Sequence, residues 1–437
     1  MPRVLLLATT TGYQTRAFGH AAARLGAELV FATDRCHLIE DPWQDHAIPI
    51  RFFDEDASVN AILESAAVRP IDGLIVVGDR PTVIGARVAE GLAIPWHPPA
   101  AAVAARHKQL TRERLRDRGL PVPWWTAITL NSQGSSLSEP SALSPQPLPL
   151  SYPCVVKPVA LSGSRGVMRA DDPSSFDAAL SRLRALMAQP EVRAERNEAH
   201  ATALVEGFIP GREYAVEGLM HHGTLHVLAI FDKPDPLDGP FFEETIYLTP
   251  SSATAEVQCA IVDGVSRAAD ALGLCHGPIH AECRVNADGV FVLEVAARPI
   301  GGLCARALRF QSEISLEELL LRQALGEDPA PYQREATASG VMMIPIPRRG
   351  ILRGVDGIDE ARATPGIDEI HITAKPDQLL LPLPEGASYL GFIFARAERA
   401  DAVEQALRAA HARLVFTIDP ELTMLPQGQI HYNPVHG

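Results

Sequence analysis

The sequence predicts a mixed α/β and α+β fold in three parts, and three observations carry that reading. Short buried-type strands alternate with helices over about the first 110 residues. A second stretch groups its strands around glycine turns, and the texture changes again after about Pro329. Strand–helix alternation argues a parallel layered sheet, and clustered strands argue an antiparallel one. At 437 residues the chain is too long for one core, so we divide it at 1–110, 111–330 and 331–437.

The elements follow in order. Residues 3–8 form a strand, Thr9 to Gly12 a loop, and an apolar-periodic helix runs to about Leu25, where Gly26 ends it. Glu28–Thr33 resumes as a strand, and Asp72–Gly78 is another, followed by a helix to Glu90. The first strand–helix turn has only Gly12 and lacks G-x-G-x-x-G, which argues against a dinucleotide site there. A helix-rich stretch from Pro99 to Gly119 carries Lys108. Asn131 to Leu150, rich in Ser, Pro and Leu, has neither periodicity and reads as a surface insertion.

Strand 154–156, a glycine-serine loop and a helix over 173–188 come next, then strands near 203–206, 213–219 and 224–231. A helix over 254–272 precedes a strand hairpin, and Ser315–Leu325 is an amphipathic helix. Beyond it, Val341–Pro345, Ile367–Thr373 and Tyr389–Ala395 read as strands and Ala400–Ala412 as a helix. These make a small α+β domain packed on the central one, without a metal, nucleophile or glycine-loop signature of its own.

Composition narrows the function. An apolar fraction of 46% and a charged fraction of 21% are those of an ordinary globular protein. The net charge of −14 argues against a nucleic-acid partner. Six cysteines without CxxC spacing fit reduced thiols in a cytoplasmic protein, and no apolar run is long enough for a signal peptide or membrane span. Of 39 basic residues only four are lysine: Lys108, Lys157, Lys233 and Lys375. In so arginine-rich a chain, a retained lysine marks a position that needs a compact ammonium, as phosphate sites often do.

The hairpin Ile279–Arg298 carries the most chemistry. With Ala287-Asp288-Gly289 as a three-residue loop, Asn286 faces Val290, and counting outward sets Glu282 opposite Glu294. Opposed Cβ atoms lie roughly 5 Å apart, so the two carboxylates need a cation between them or a proton on one. Period two puts His280, Glu282, Glu294, Ala296 and Arg298 on one face. A hard cation such as Mg²⁺ fits, and it usually arrives with nucleotide phosphates. The competing reading is a solvated charged face. The near-continuous apolar run Val290–Leu293 argues against that, implying burial on both faces.

Upstream, Lys157 ends a strand and is followed by Leu161-Ser-Gly-Ser-Arg-Gly166, whose backbone N–H groups could approach phosphate oxygens. Glu206 ends the next strand, Gly211 permits a bend, and Glu213 starts the strand after it. In this order the pieces resemble the ATP-grasp superfamily: Lys108, then Lys157 with its loop, Glu206-x4-Gly211-x-Glu213, and the Glu282/Glu294/Arg298 hairpin. The resemblance covers about residues 1–330 and implies a Rossmann-like N-terminal domain before an ATP-grasp catalytic domain. The Glu-x-Ala-Ala-Arg pattern, with Ala296 where most of the superfamily has Asn, is similar to the L-amino acid ligase branch. Val341–Pro347 and Tyr389–Arg396 look like that branch's C-terminal domain.

The resemblance implies roles. Lys108 and Lys157 would hold ATP phosphates, with Ser162, Gly163, Ser164 and Gly166 closing over them. Glu206 and Phe208 would lie at the adenine hinge and Glu213 at the ribose. Glu282 and Glu294 would ligate Mg²⁺, with Mn²⁺ as the alternative. The activity implied is ATP-dependent joining of an amino acid, through an acyl phosphate, to the amine of a second amino acid. Arg298 would stabilise the oxyanion. Glu244, six residues before Pro250, would pair with the α-ammonium, and Tyr247 stands where relatives often carry His. Partners would be small amino acids or amines, with a homodimer implied by family precedent. Competing readings are a biotin-carboxylase-like or purine-pathway ligase of the same fold, and a non-catalytic nucleotide sensor.

Overall fold

The computed structural model describes residues 1–8, 13–34, 47–130 and 150–421. The loop read at Thr9–Gly12 and nearly all of the insertion read at Asn131–Leu150 lie outside the described residues. The N-terminal part is a parallel sheet in the order Ile48–Ile50, Glu28–Asp34, Arg3–Ala8, Gly73–Val77. Its neighbouring strands RVLLLA and GLIVV are almost wholly buried because helices cover the sheet. The helix Glu55–Val68 and the strand Ile48–Ile50 were not read from sequence; the strand has only three residues, too few for periodicity.

The stretch Pro99–Gly119 is two helices, Pro99–Arg106 and Lys108–Asp117, broken at His107. The His107 backbone is extended, and its Nδ1 accepts from the Leu110 N–H at 3.3 Å, capping the second helix. That break sets Lys108 at the first helical position, where its N–H donates to the Val159 carbonyl at 3.0 Å.

Two antiparallel sheets build the rest of the site. One has the order Trp125–Thr129, Thr202–Gly207, Cys154–Pro158, Met168–Ala170. The other has eight strands: Gly289–Ala296, Gly277–Asn286, Arg212–His221, Thr224–Asp232, Ile246–Thr249, Ala338–Ile344, Gly391–Ala397 and Ile367–Ile372. The C-terminal strands are therefore joined edge to edge with the central sheet, through Ile246↔Met342 pairing, rather than packed against it. Texture along a sequence reports local composition and carries no signal for such a joint.

The helix Ala255–Leu272 supports the carboxylate hairpin. Thr254 caps its start and Gly273, at φ 81°, ends it in the left-handed region. Its buried face, Ile261, Val265, Ala268 and Leu272, packs with Val292 and Val295. Of the run Val290–Leu293 only Val292 is buried, which corrects the expectation of burial on both faces: Gly289–Ala296 is an edge strand.

Candidate active site

The hairpin pairs Glu282 with Glu294, as the sequence predicts, by a different route. The turn holds two residues rather than three, because Asn286 faces Gly289 and Val285 faces Val290. That register alone would misalign the carboxylates. A bulge at Leu293, between the pairs Cys283↔Val292 and Glu282↔Glu294, restores the opposition. The bulge frees two carbonyls, and Arg112 takes both: Nη1 donates to Leu293 O at 3.0 Å and to Val292 O at 3.3 Å.

Arg112 is wholly buried on the helix that starts at Lys108, one turn further along the same face. Its other nitrogens hold Glu206, Nε at 2.9 Å and Nη2 at 3.2 Å, and Glu206 also pairs with the Lys157 ammonium. Burial disfavours the Glu206 charge, but Arg112 and Lys157 together hold its carboxyl at about 2. Burial pushes Lys157 down to about 8 despite that partner, so the ammonium is still the main form at neutral pH. The Glu206 side chain is thus held between Arg112 and Lys157 at the edge of the site. Phe208 offers a ring, stacked 6.4 Å from Phe242, while its N–H is taken by Pro153 O.

Three of the four lysines meet here. Lys108 and Lys157 line one cavity of about 470 Å³, and Lys233 lies against its acidic wall. Lys233 Nζ is 2.8 Å from Glu213 and 2.9 Å from Glu282, and it also pairs with Glu244. Burial opposes charge on Glu282, yet Lys233 holds its carboxyl well below the usual range. Burial, and then the Glu282 charge, push Glu244 up to about 8, so this pair retains a proton at neutral pH. A further cation is what such crowding calls for.

The same cavity is lined by Ser162, Gly163, Ser164, Glu206, Phe208, Glu213, Glu244, Tyr247, Glu282, Glu294 and Arg298. Gly166 is not among the lining residues. Its φ is 75°, its N–H is held by Pro384 O at 2.8 Å, and a Cβ there would meet Leu183 and Leu186 at 3.0 Å. Gly211 does permit the expected bend, at φ 120° with the Val285 carbonyl 2.3 Å from any added Cβ. Glu213 is held by Lys233 and by Arg284 Nε at 2.8 Å. Glu244 lines the cavity and Glu243 does not.

Arg298 lines the cavity but directs its fork at Asp79, with Nε at 2.9 Å and Nη2 at 3.1 Å. Asp79 was missed by sequence reading. It follows Gly73–Val77 at the carboxyl edge of the parallel sheet, where ligands of such sheets gather, and that was the available signal. Burial opposes its charge, while Arg298, Lys108 and the Ser162 hydroxyl favour it. His280 is fixed by buried Glu217, Nδ1 to Oε2 at 3.0 Å, with Nε2 3.9 Å from Glu282. From the C-terminal part, Met343, Ala387 and Tyr389 complete the wall.

Glu282 and Glu294 are the carboxylates that could hold Mg²⁺, and an all-oxygen pair fits a hard cation. Lys108 Nζ stands 3.5 Å from Glu294 and donates to Leu161 O at 2.6 Å, which places positive charge beside that position. Ala296, two residues along the same face, supplies no oxygen from its side chain.

Comparisons with known proteins agree with this architecture. Residues 19–96 match the ATP-grasp N-terminal domain, 150–307 the ATP-grasp domain, and 342–419 the L-amino acid ligase C-terminal domain 2. The crystal structure of an L-amino acid ligase from Bacillus licheniformis superposes with a TM-score of 0.76 at 26% identity, covering 96% of this chain and 99% of that one. Carnosine synthase 1 of Gallus gallus is 27% identical over 67% of this chain, which spans only 32% of that protein. A formate-dependent phosphoribosylglycinamide formyltransferase of Burkholderia lata is 28% identical over 83% of this chain and 87% of its own length. No helix among the described residues is long and apolar enough to cross a membrane. The chain thus carries an ATP-grasp N-terminal domain, an ATP-grasp domain and an L-amino acid ligase C-terminal domain, in that order.

Proposed function

We propose that the protein is a carboxylate–amine ligase that joins two amino acids, or an amino acid and an amine, at the expense of ATP. The observation that carries this reading is the meeting of two charge sets in one cavity. Lys108 and Lys157 supply ammonium groups to its lining, and Glu244, Glu282 and Glu294 supply carboxylates, with Lys108 and Glu294 meeting at 3.5 Å. The first set suits phosphates, and the second suits a metal and a substrate ammonium.

In the reaction, a substrate carboxylate oxygen attacks the γ-phosphorus of ATP in line, and ADP leaves. The amine of the second substrate attacks the acyl carbon, loses a proton and expels phosphate. Lys157, positioned by Glu206, and Lys108 hold the phosphoryl oxygens. Mg²⁺, held by Glu282 and Glu294, would draw charge from the same oxygens when bound. Arg298, aligned by Asp79, stabilises the tetrahedral oxyanion. Ser162, Gly163 and Ser164 cover the acyl phosphate against water.

The test is product analysis over pairs of amino acids, with ADP release and mass spectrometry. ADP, phosphate and a condensed product are expected. AMP and pyrophosphate would refute the acyl-phosphate route. Turnover supported only by formate with phosphoribosylglycinamide would move the protein to the purine-pathway reading, and ATP binding without turnover would favour a sensor.

Two substitutions resolve roles within the site. Glu244→Gln is expected to raise the KM of the activated amino acid by about 10²-fold or more, since unpairing a buried charge costs roughly 3–5 kcal/mol. ATP affinity should change little. Glu243→Gln, outside the cavity, is the control; equal sensitivity there would reassign the ammonium. Arg298→Lys should lower kcat at saturating substrates by roughly tenfold or more, because a point charge cannot keep both Asp79 oxygens and reach an oxyanion. An unchanged kcat would reduce Arg298 to a clamp between domains.

A further inference from the structure

At the opposite end of the central sheet, three histidines face one another. The turn His221-His222-Gly223 joins Arg212–His221 to Thr224–Asp232, and His276 immediately precedes Gly277–Asn286. Pairing of Met220 with Gly277 brings the turn beside His276, and the Gly223 N–H donates to Cys275 O at 2.8 Å to pin it there. Ring centroids lie 4.4 Å apart for His221 and His222, and 5.1 Å apart for each of them with His276. One ring nitrogen from each falls within 4.8 Å of those of the other two.

Ring packing alone does not account for this cluster. His276 is only 6% exposed, and its Nδ1 has no hydrogen-bond partner; neither has the buried Nδ1 of His221. Buried polar atoms in native proteins are nearly always satisfied, and two orphaned imidazole nitrogens side by side call for a shared ligand. With one nitrogen of each of the three rings converging within 4.8 Å, a single ion that accepts a lone pair from each satisfies all three at once. His222 stands at φ 48° on the exposed side of the turn, leaving the cluster open to solvent on one edge.

We infer that His221, His222 and His276 form a site for a borderline divalent transition metal of the Zn²⁺ class. Imidazole nitrogen is a favoured ligand for such ions, whereas Mg²⁺ prefers oxygen. Ligation at about 2.0–2.1 Å would draw the three nitrogens closer by side-chain rotation, with water completing the shell. The site is separate from the cavity, since His276 precedes Glu282 by six residues of extended chain, about 20 Å at roughly 3.3 Å per residue. Its role would be to clamp the turn to the start of the strand that carries Glu282. Trp96 and His97 of the N-terminal part pack on that same segment: a Cβ on Gly277 would touch both, and the Cys275 N–H donates to His97 Nδ1 at 3.3 Å.

The experiment uses full-length protein without a histidine tag, stripped with chelator and titrated with Zn²⁺ and Co²⁺ in excess Mg²⁺. One equivalent of Zn²⁺ should bind and raise Tm, and Co²⁺ should give the visible absorption of a low-coordinate nitrogen site. His222→Asn, which tolerates the left-handed turn, should weaken Zn²⁺ at least about tenfold. His276→Gln should do the same, and His226→Asn, whose ring lies 6.2 Å from His221, should bind normally. Far-UV circular dichroism and ATP affinity verify folding of each variant. Failure of the parent protein to bind Zn²⁺ under excess Mg²⁺, or equal affinity in a folded His222→Asn, overturns the site.

Discussion

Arg112→Met should lower the stability of the protein by about 3–5 kcal/mol at neutral pH, read as a fall in the urea midpoint at unchanged slope. The side chain is wholly buried, and its guanidinium makes four hydrogen bonds, two to Glu206 and two to the carbonyls of the Leu293 bulge. Methionine fills the space but leaves Glu206 with Lys157 alone and the carbonyls bare. The penalty should also depend on pH. The Glu206 carboxyl is held at about 2 instead of 4.5, so its contribution is complete above about pH 4.5 and is lost as pH falls through about 2. That contribution is worth about 3 kcal/mol. Melts of parent and variant should therefore differ most near neutrality and converge toward about pH 2. A loss under about 1 kcal/mol at pH 7 would show that the triad is replaceable packing.

Glu282→Ala and Glu294→Ala should each lower Mg²⁺-dependent turnover by at least about 10³-fold while leaving the fold intact. A metal Lewis acid is worth several kcal/mol of transition-state stabilisation, and each 1.4 kcal/mol is about tenfold. Stability should hold, because loss of Glu282 thins a crowd: Lys233 keeps Glu213 and Glu244, and Glu244 loses the neighbour that raises it. Glu294 is partly exposed, and its ion pair with Lys108 spans 3.5 Å. Near-normal rates in either variant at limiting Mg²⁺ would refute the metal role. The contrast with Arg112→Met separates chemistry from architecture.

Much of this was legible because it is local. Strand and helix periods located nearly every long element, and Lys108, Lys157, Glu206, Glu213, Glu244, Glu282, Glu294 and Arg298 do share one cavity. Three of the four lysines gather at this cavity, Lys233 among carboxylates, while Lys375 is exposed elsewhere. The carboxylate pair was reached through two compensating differences, a shorter turn and a bulge, neither of which leaves a composition signal. Arg112 and Asp79 stayed hidden for another reason. Their partners are 94 and 219 residues away, and no pattern along the chain encodes a pairing at that distance. Nor could composition show that the Glu206 carboxylate and the Gly166 N–H already have protein partners.

The joint between Ile246–Thr249 and Ala338–Ile344 decides how this chain can be cut. A fragment ending near residue 330 would keep every ATP-grasp carboxylate and lysine, yet it would bare a four-residue strand that is buried along its whole length. An open apolar edge of that kind recruits another chain rather than water, so such a fragment should aggregate rather than report nucleotide binding. Exchange of C-terminal parts between homologues meets the same constraint from the other side. Met343 sits on the joining strand, so altering that wall of the cavity by grafting means importing an edge that matches the Ile246↔Met342 register. A graft that ignores this register shifts by one residue and turns Met343 away from the cavity.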